Sequence, residues 1–284
     1  MILFKKKDDI QQFIAVLHKK NKKIGFVPTM GALHMGHISL IQAARKKCDL
    51  VVCSIFVNPT QFNDKKDLEK YPRTIEKDID LLIKNDCDVL FYPDEATIYP
   101  EGTGMRKQFQ LGAIESVLEG KYRPGHFQGV ADVVSRLFEI IKPDEVFFGQ
   151  KDLQQTRVIA HLINNTPDFK KIRMNIVSTL REPGMLAMSS RNTRLTPEQL
   201  EKAPAIYKAL RFLKKHIAKG DLTSLLNAAT KQLTEKGFRP EYVTIVKSET
   251  LEAVDNWDGH TPLTGLVAAF LGEVRLIDNL ELTD

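Results

Sequence analysis

Over about its first 178 residues the chain alternates short runs rich in β-branched and aromatic residues with longer segments whose apolar residues recur at helical spacing. This alternation restricts it to a parallel sheet covered by helices. Residues 23–27, 50–57, 88–92, 145–148 and 171–177 read as strands, and residues 36–47, 75–85, 130–141 and 153–164 as helices. The fold class expected is α/β, with a doubly wound Rossmann-like parallel sheet in residues 1–179. Beyond it the rhythm changes. A Pro183-Gly184 pair is followed by Ser189 and Ser190, a helix start at Thr196-Pro197, and two amphipathic helical stretches separated at Gly220. Strand-like runs at 242–247, 265–271 and 274–278 come last, so residues 180–284 are expected to form a second, smaller α+β domain acting as a lid. Residues 93–109 are the long irregular stretch and the expected active-site loop.

Composition narrows the function. A chain of 284 residues, 43% hydrophobic and 27% charged, can bury a substantial core. No window reaches the roughly 18 apolar residues of a membrane span. The start, MILFKKKDDIQQF, carries charges where a signal peptide needs its apolar region, so a cytoplasmic location with no membrane partner is expected. Cys48, Cys53 and Cys87 form no Cys-x-x-Cys pair and lie in apolar stretches, which suits reduced core residues. The net charge of +5 is spread along the chain and favours an anionic substrate without making a nucleic-acid patch. Lys5 to Lys7 read as solvated surface.

Two strand-to-helix junctions and a segment at the domain boundary carry the chemistry. VPTMGALHMGHISLI, residues 27–41, places Pro-Thr-Met-Gly after a strand and His34-x-Gly36-His37 at a helix start. Histidines three apart share a helix face, and their ring N–H groups together with free backbone amides can converge on a polyphosphate, Gly36 clearing room for adenine. Two zinc ligands are also present in His34 and His37, but nothing nearby in sequence completes a tetrahedral set. Gly31 and Gly36 have P-loop spacing, yet His37 and Ile38 stand where Lys and Ser or Thr belong, and no strand is followed by Gly-x-Gly-x-x-Gly. FFGQKDLQQT, residues 147–156, puts Gly149, Lys151 and Asp152 at the carboxyl edge of the sheet, where a lysine can offset charge growing on an α-phosphate. LAMSSRNTRL, residues 186–195, offers Ser189, Ser190 and Arg191 to a triphosphate. Asn58, Thr60, Gln61 and Gln155 supply neutral groups suited to orienting a hydroxy acid.

Taken in order, PTMGALHMGH, FVNPTQF, YPRT, EGKYRPGHFQGV, FFGQKDLQQ and LAMSSRN span essentially the whole chain, which resembles the pantothenate synthetase (pantoate:β-alanine ligase) family of the adenylate-forming nucleotidyltransferases. The resemblance implies that Met30, Gly31, Ala32, Leu33, His34, Met35, Gly36 and His37 line an ATP site completed by Gly149, Gln150, Lys151, Asp152, the Leu180 backbone, Met188, Ser189, Ser190 and Arg191. His34, His37, Lys151 and Arg191 would be catalytic, with His37 in the acid role. Gln61 and Gln155 would bind pantoate and Gln61 also β-alanine, while Asn58, Arg123 and His126 are further candidates for the substrate pocket and its cover. ATP is the implied co-substrate, with Mg2+ bound through its phosphates and no protein-held metal site. A homodimer with small-molecule substrates and no nucleic-acid partner is implied as well. Pantoate would attack the α-phosphorus, and the amine of β-alanine would then displace AMP. The chain departs from the family pattern at Gly184-Met185, where Asp-Gly is usual, and at Lys77, which leaves Asp78 without an acidic neighbour. Two alternatives stay open: a transferase that leaves AMP on its product, and a nucleotide- or RNA-binding module without catalysis.

Overall fold

A parallel strand covered on both faces must be apolar at consecutive positions, and alternate residues then feed two different cores. The structure is a computed structural model that describes residues 1–104 and 107–283, apart from the side chain of Lys65. Among these residues β1 (Ile2–Phe4), β2 (Ile24–Thr29), β3 (Leu50–Ile55), β4 (Val89–Phe91), β5 (Glu145–Gly149) and β6 (Arg173–Val177) form a parallel sheet in the order β1-β4-β3-β2-β5-β6. Ile24, Phe26, Val52, Phe91, Val146 and Phe148 turn to a core shared with helices α1 (Lys7–Lys19), α7 (His126–Ile141) and α8 (Leu153–Asn165). Val27, Val51, Cys53, Leu90 and Phe147 turn the other way, against α2 (Met35–Arg45) and α4 (Ile75–Lys84). Each such fully buried side chain contributes roughly 1.5–3 kcal/mol. The cysteines are free, as expected, with Cys53 and Cys87 buried and Cys48 partly so.

The topology selects one place for a ligand. From β2 the chain crosses to β3 on one side and returns at β5 on the other, so the strand order reverses at β2, and the region past Thr29 and Gly149 is the position where open α/β sheets bind ligands. The expected doubly wound sheet is thus present, with an extra edge. β1 and α1 were not among the elements read from sequence, because a three-residue strand shows no period and Lys7, Asp8 and Asp9 mask the first helical turn. Residues 93–109 also differ from a wholly irregular loop. Asp94 caps a single turn, α5 (Glu95–Ile98), through a 2.8 Å bond from Thr97 N, and Ile98 and Tyr99 are buried behind it. Four residues are too few for a helical pattern. Met105 and Arg106, in the same stretch, lie outside the described residues. Short helices α3 (Lys65–Glu69) and α6 (Glu119–Tyr122) complete this unit, Met1–Ser178. Among the described residues no helix is long and apolar enough to cross a membrane.

The second unit, Thr179–Asp284, holds α9 (Pro197–Lys202), α10 (Ala205–His216), β7 (Gly220–Asp221), α11 (Thr223–Glu235), β8 (Phe238–Lys247), β9 (Asn256–Trp257), β10 (Leu263–Leu271) and β11 (Val274–Glu281). Strands β11-β10-β8 pair antiparallel under α10 and α11, burying Leu210, Leu213, Leu233, Ile245, Val267 and Leu276. Thr196 opens α9 with a capping box to Gln199. Gly220 does more than separate helices, since it pairs with Trp257 across β7 and β9.

At the departure from the family pattern the turn survives. Met185 N donates to Glu182 O at 2.7 Å and Glu182 N to Leu186 O at 2.8 Å. Arg181 fixes the turn's base through a two-pronged ion pair with the buried Asp278, at 2.6 and 3.0 Å. Closing it without glycine places Met185 at φ 71, a left-handed conformation that an L side chain adopts at a cost of about 1–2 kcal/mol. The side chain is exposed and loses little packing on removal. Met185→Gly is therefore expected to raise stability by about 1 kcal/mol, after glycine's extra chain entropy is subtracted. The midpoint of urea unfolding, at an unchanged denaturant slope, measures it.

Candidate active site

The turn that leaves β2 is held from below by one buried carboxylate. Asp78, on the first turn of α4, accepts Ala32 N at 2.9 Å on one oxygen, and Leu33 N at 2.8 Å with the Thr74 hydroxyl at 3.0 Å on the other. Gly31 N donates to Thr29 Oγ1, whose hydroxyl donates to Ser54 O. The turn needs φ 80 at Gly31, where a Cβ would come within 3.0 Å of Ile55 and 3.1 Å of an Asp78 oxygen. Sequence reasoning weighed Asp78 as half of an acidic pair. The structure makes it the anchor of the Met30–Leu33 segment.

His34 and His37 stand side by side at the start of α2. His34 is the cap residue of α2, in extended conformation, and His37 is its third residue, with the rings 4.1 Å apart. Gly36 N donates to His34 Nδ1 at 3.1 Å and His34 N to His37 Nδ1 at 3.3 Å. The amides of Gly31, Ala32, Leu33, His34 and Gly36 donate within the chain, which restricts what the backbone here can offer an anion. A nitrogen that accepts a hydrogen bond carries no proton, so each neutral ring bears its hydrogen on Nε2. Burial, reinforced by the charge of Lys151, holds His34 down at about 4. Burial likewise places His37 well below the usual histidine value, with His34 and then Lys151 adding to the effect.

Lys151 sits in the one-turn 3₁₀ segment Gln150–Asp152 that follows β5, its ammonium 3.9 Å from Asp152 Oδ1. Strands β2 and β5 are neighbours, and this brings the first and second sequence clusters to one sheet edge. Among the described residues no cluster of three or more His, Cys, Asp or Glu side chains has a metal-holding arrangement.

A neutral pocket wall adjoins the same turn. Gln61 Nε2 donates to the Met30 sulfur at 2.9 Å, and Gln61 Oε1 accepts from Asn58 Nδ2 at 3.2 Å. The Gln61 carbonyl accepts from His126 Nδ1 at 2.7 Å and from Arg123 at 3.3 Å, and Arg123 also donates to His126 Nε2. Close packing of α7 requires Gly129, where a Cβ would stand 2.5 Å from Thr60 O. Sequence reasoning did not single out Tyr99, which donates to Asn58 Oδ1 at 2.9 Å, or Gln154, whose amide ties down the 114–119 segment by bonds to Ile114 O, Val117 O and Glu119 N. A lone tyrosine in an irregular stretch carries no signal. Gln154 lay inside FFGQKDLQQ without a role. Gln155, partly buried in the first turn of α8, stands outside the Asn58–Gln61 network.

In the second unit Met188 N donates to Leu180 O at 3.0 Å. Ser189 caps the 3₁₀ segment Ser190–Arg194 by accepting Arg191 N, and Asn192 Nδ2 donates to Ala187 O. Leu180, Met188, Ser189, Ser190 and Arg191 are thus joined in one small cross-braced segment.

Comparison with known proteins gives these clusters a common origin. The family model described as pantoate-beta-alanine ligase matches residues 2–281. A pantothenate synthetase of Porphyromonas gingivalis is 42% identical over 289 residues, covering 100% of both chains, and one of Shewanella sp. is 44% identical over 274 residues, covering 96% of both. Among solved structures, pantothenate synthetase from Thermus thermophilus superposes with a TM-score of 0.91 at 38% identity, covering 100% of both chains. Pantoate-beta-alanine ligase from Francisella tularensis, complexed with beta-gamma ATP and beta-alanine, gives 0.84 at 39%, covering 99% of this chain and 98% of that one.

Two measurements test the geometry. Long-range nitrogen-proton spectra of the free protein should show both histidines as Nε2–H tautomers at neutral pH, with His34 protonating near pH 4. An unfolded histidine titrates near 6.5, so the unfolded chain binds more protons between the two values. The histidine contribution to stability is therefore intact above pH 6.5 and is lost as the pH falls toward 4. Asp78→Asn, which points an NH2 group at a backbone N–H, is expected to cost about 2 kcal/mol in denaturant unfolding.

Proposed function

Since the chain belongs to the pantoate-beta-alanine ligase family, we propose that ATP and pantoate meet in the crevice beyond the carboxyl ends of β2 and β5. The reaction condenses pantoate with β-alanine to pantothenate, releasing AMP and pyrophosphate through a pantoyl-adenylate. A carboxylate is a poor acyl donor, and moving AMP onto it makes a leaving group that an amine can displace. The observation that carries the placement is the convergence of Lys151, His34 and His37 at the strand-order reversal, close enough that Lys151 depresses the protonation of both rings.

Met30 to His37 and Gly149 to Asp152 would frame the nucleotide. Their Nε2–H groups let His34 and His37 donate to phosphate oxygens while uncharged, so no proton must first be lost or gained. His37 is assigned the acid role as pyrophosphate departs. Lys151 would meet the charge that grows at the α-phosphate in the transition state, an electrostatic rather than covalent contribution. Gln61, with Gln155, would hold pantoate through neutral donors, and Gln61 would later meet β-alanine. Asn58, Arg123 and His126 stand behind Gln61. Nucleotide contacts are also assigned to Leu180, Met188, Ser189, Ser190 and Arg191, and the reading of the second unit as a lid depends on them.

Both Asp78 oxygens are engaged by backbone and threonine donors, which leaves that carboxylate unsuited to a cation. Mg2+ therefore fits as a partner of the ATP phosphates, where it would neutralise part of their charge. A homodimer in the cytoplasm is proposed from the family alone.

The deciding assay measures AMP and pyrophosphate from ATP and Mg2+ with pantoate and β-alanine, each omitted in turn. AMP should appear in a one-to-one ratio with pantothenate only when both are present, and Lys151→Ala should lower kcat by about 100- to 1000-fold. A product that retains AMP would instead identify a nucleotidyltransferase. Failure of either substrate to stimulate ATP turnover would refute the substrate assignment.

A further inference from the structure

Tyr99 is 2% exposed, yet its hydroxyl belongs to the wall behind Gln61 and not to the apolar core. It donates to Asn58 Oδ1 at 2.9 Å and lies 3.3 Å from Thr60 Oγ1, which donates to the same oxygen at 3.0 Å; Thr60 N adds a third donor at 3.3 Å. Three donors on one oxygen leave the Asn58 amide a single sense. Its NH2 group faces Gly129 O at 3.1 Å and Gln61 Oε1 at 3.2 Å. Because Gln61 Oε1 is taken, the end of Gln61 next to Met30 is its NH2 group. The ring itself is held from the other side. Arg136 lies over it, 4.8 Å from its centroid, and is bonded to Ile98 O at 3.1 Å and to the fully buried Asp132 at 2.8 Å.

We infer that Tyr99 is a positioning residue for pantoate: through Asn58 it fixes the Gln61 side-chain amide with its NH2 group toward the substrate. The inference rests on the placement of pantoate at Gln61. Its chemical content is the sign of the group presented. Pantoate offers a carboxylate and hydroxyl oxygens. An NH2 donor attracts the carboxylate, whereas a reversed amide would set a carbonyl oxygen against it. A glutamine has no intrinsic preference between the two senses, so a neighbour must choose. Asn58 makes that choice for Gln61, and Tyr99 helps make it for Asn58.

The test is a double-mutant cycle read in steady-state kinetics, below the melting range of every variant. Tyr99→Phe keeps the ring under Arg136 and removes only the hydroxyl. It should raise the KM for pantoate about tenfold, the worth of roughly one hydrogen bond, and leave the KM for ATP unchanged. In a Gln61→Ala background the same substitution should have no further effect on the pantoate KM, since nothing remains to orient. Should Tyr99→Phe not fold, Thr60→Val removes the neighbouring donor to the same Asn58 oxygen and carries the same expectation. Equal effects in both backgrounds, or a parallel loss for ATP, would overturn the relay and make Tyr99 a packing residue. If Gln61→Ala alone leaves the pantoate KM unaltered, the placement of pantoate at Gln61 fails first and the relay falls with it.

Discussion

The turn that leaves β2 depends on one buried carboxylate, Asp78. A turn ending a buried parallel strand must expose backbone amides to a region poor in water, and unsatisfied amides there are costly. Asp78 takes two of them and is itself tethered by Thr74, so the charge is dispersed over three short bonds. This fixes where α2 begins, which fixes His34 as its cap and His37 one turn on. The same turn carries Met30, against which Gln61 is set. One interaction thus sets the histidine pair and the Gln61 amide relative to each other, the two sides that the proposed function assigns to phosphate and hydroxy acid. The cost is that these amides are no longer available as an anion-binding nest.

That cost explains the histidines. With several amides before the helix engaged within the chain, two rings bonded through Nδ1 would offer an anion further donors at Nε2. On the proposed function, capping and ligand binding would use opposite edges of the same ring. Keeping both rings neutral in the free protein leaves Lys151 as the charged member of the trio, which limits like-charge repulsion before ATP arrives.

Much of this was legible in the sequence, and the limits have physical reasons. Strand alternation revealed the central sheet because buried parallel strands are long apolar runs, and the crevice followed from the helix starts after β2 and β5. β1 escaped because three residues have no period, and residues 95–99 because one helical turn does not either. The chemistry-bearing side chains announced themselves by type. The residues that aim them did not. Asp78 looked like the remnant of an incomplete acidic pair and Tyr99 like part of a loop, since nothing in a linear sequence records that each reaches across to a different element. The Pro183-Gly184-Met185 substitution looked like the loss of a turn, whereas the closing bonds are between backbone groups and tolerate a methionine at the price of local strain.

The two sides of the crevice solve different electrostatic problems, and their construction differs accordingly. At the proposed phosphate side the charge grows during the reaction, so a full cation such as Lys151 there would stabilise the transition state more than the ground state. At the hydroxy-acid side the pantoate carboxylate must stay nucleophilic. A cation in direct contact would lower its energy before attack and blunt it. A glutamine NH2 group such as that proposed for Gln61 would orient the same oxygens at a smaller energetic cost to the nucleophile, but unlike a lysine it can turn around and present the wrong end. A neutral pocket for a reacting anion therefore needs a buried scaffold that fixes amide direction, and the Tyr99–Asn58–Gln61 chain has the residue types and bond senses which that requirement demands.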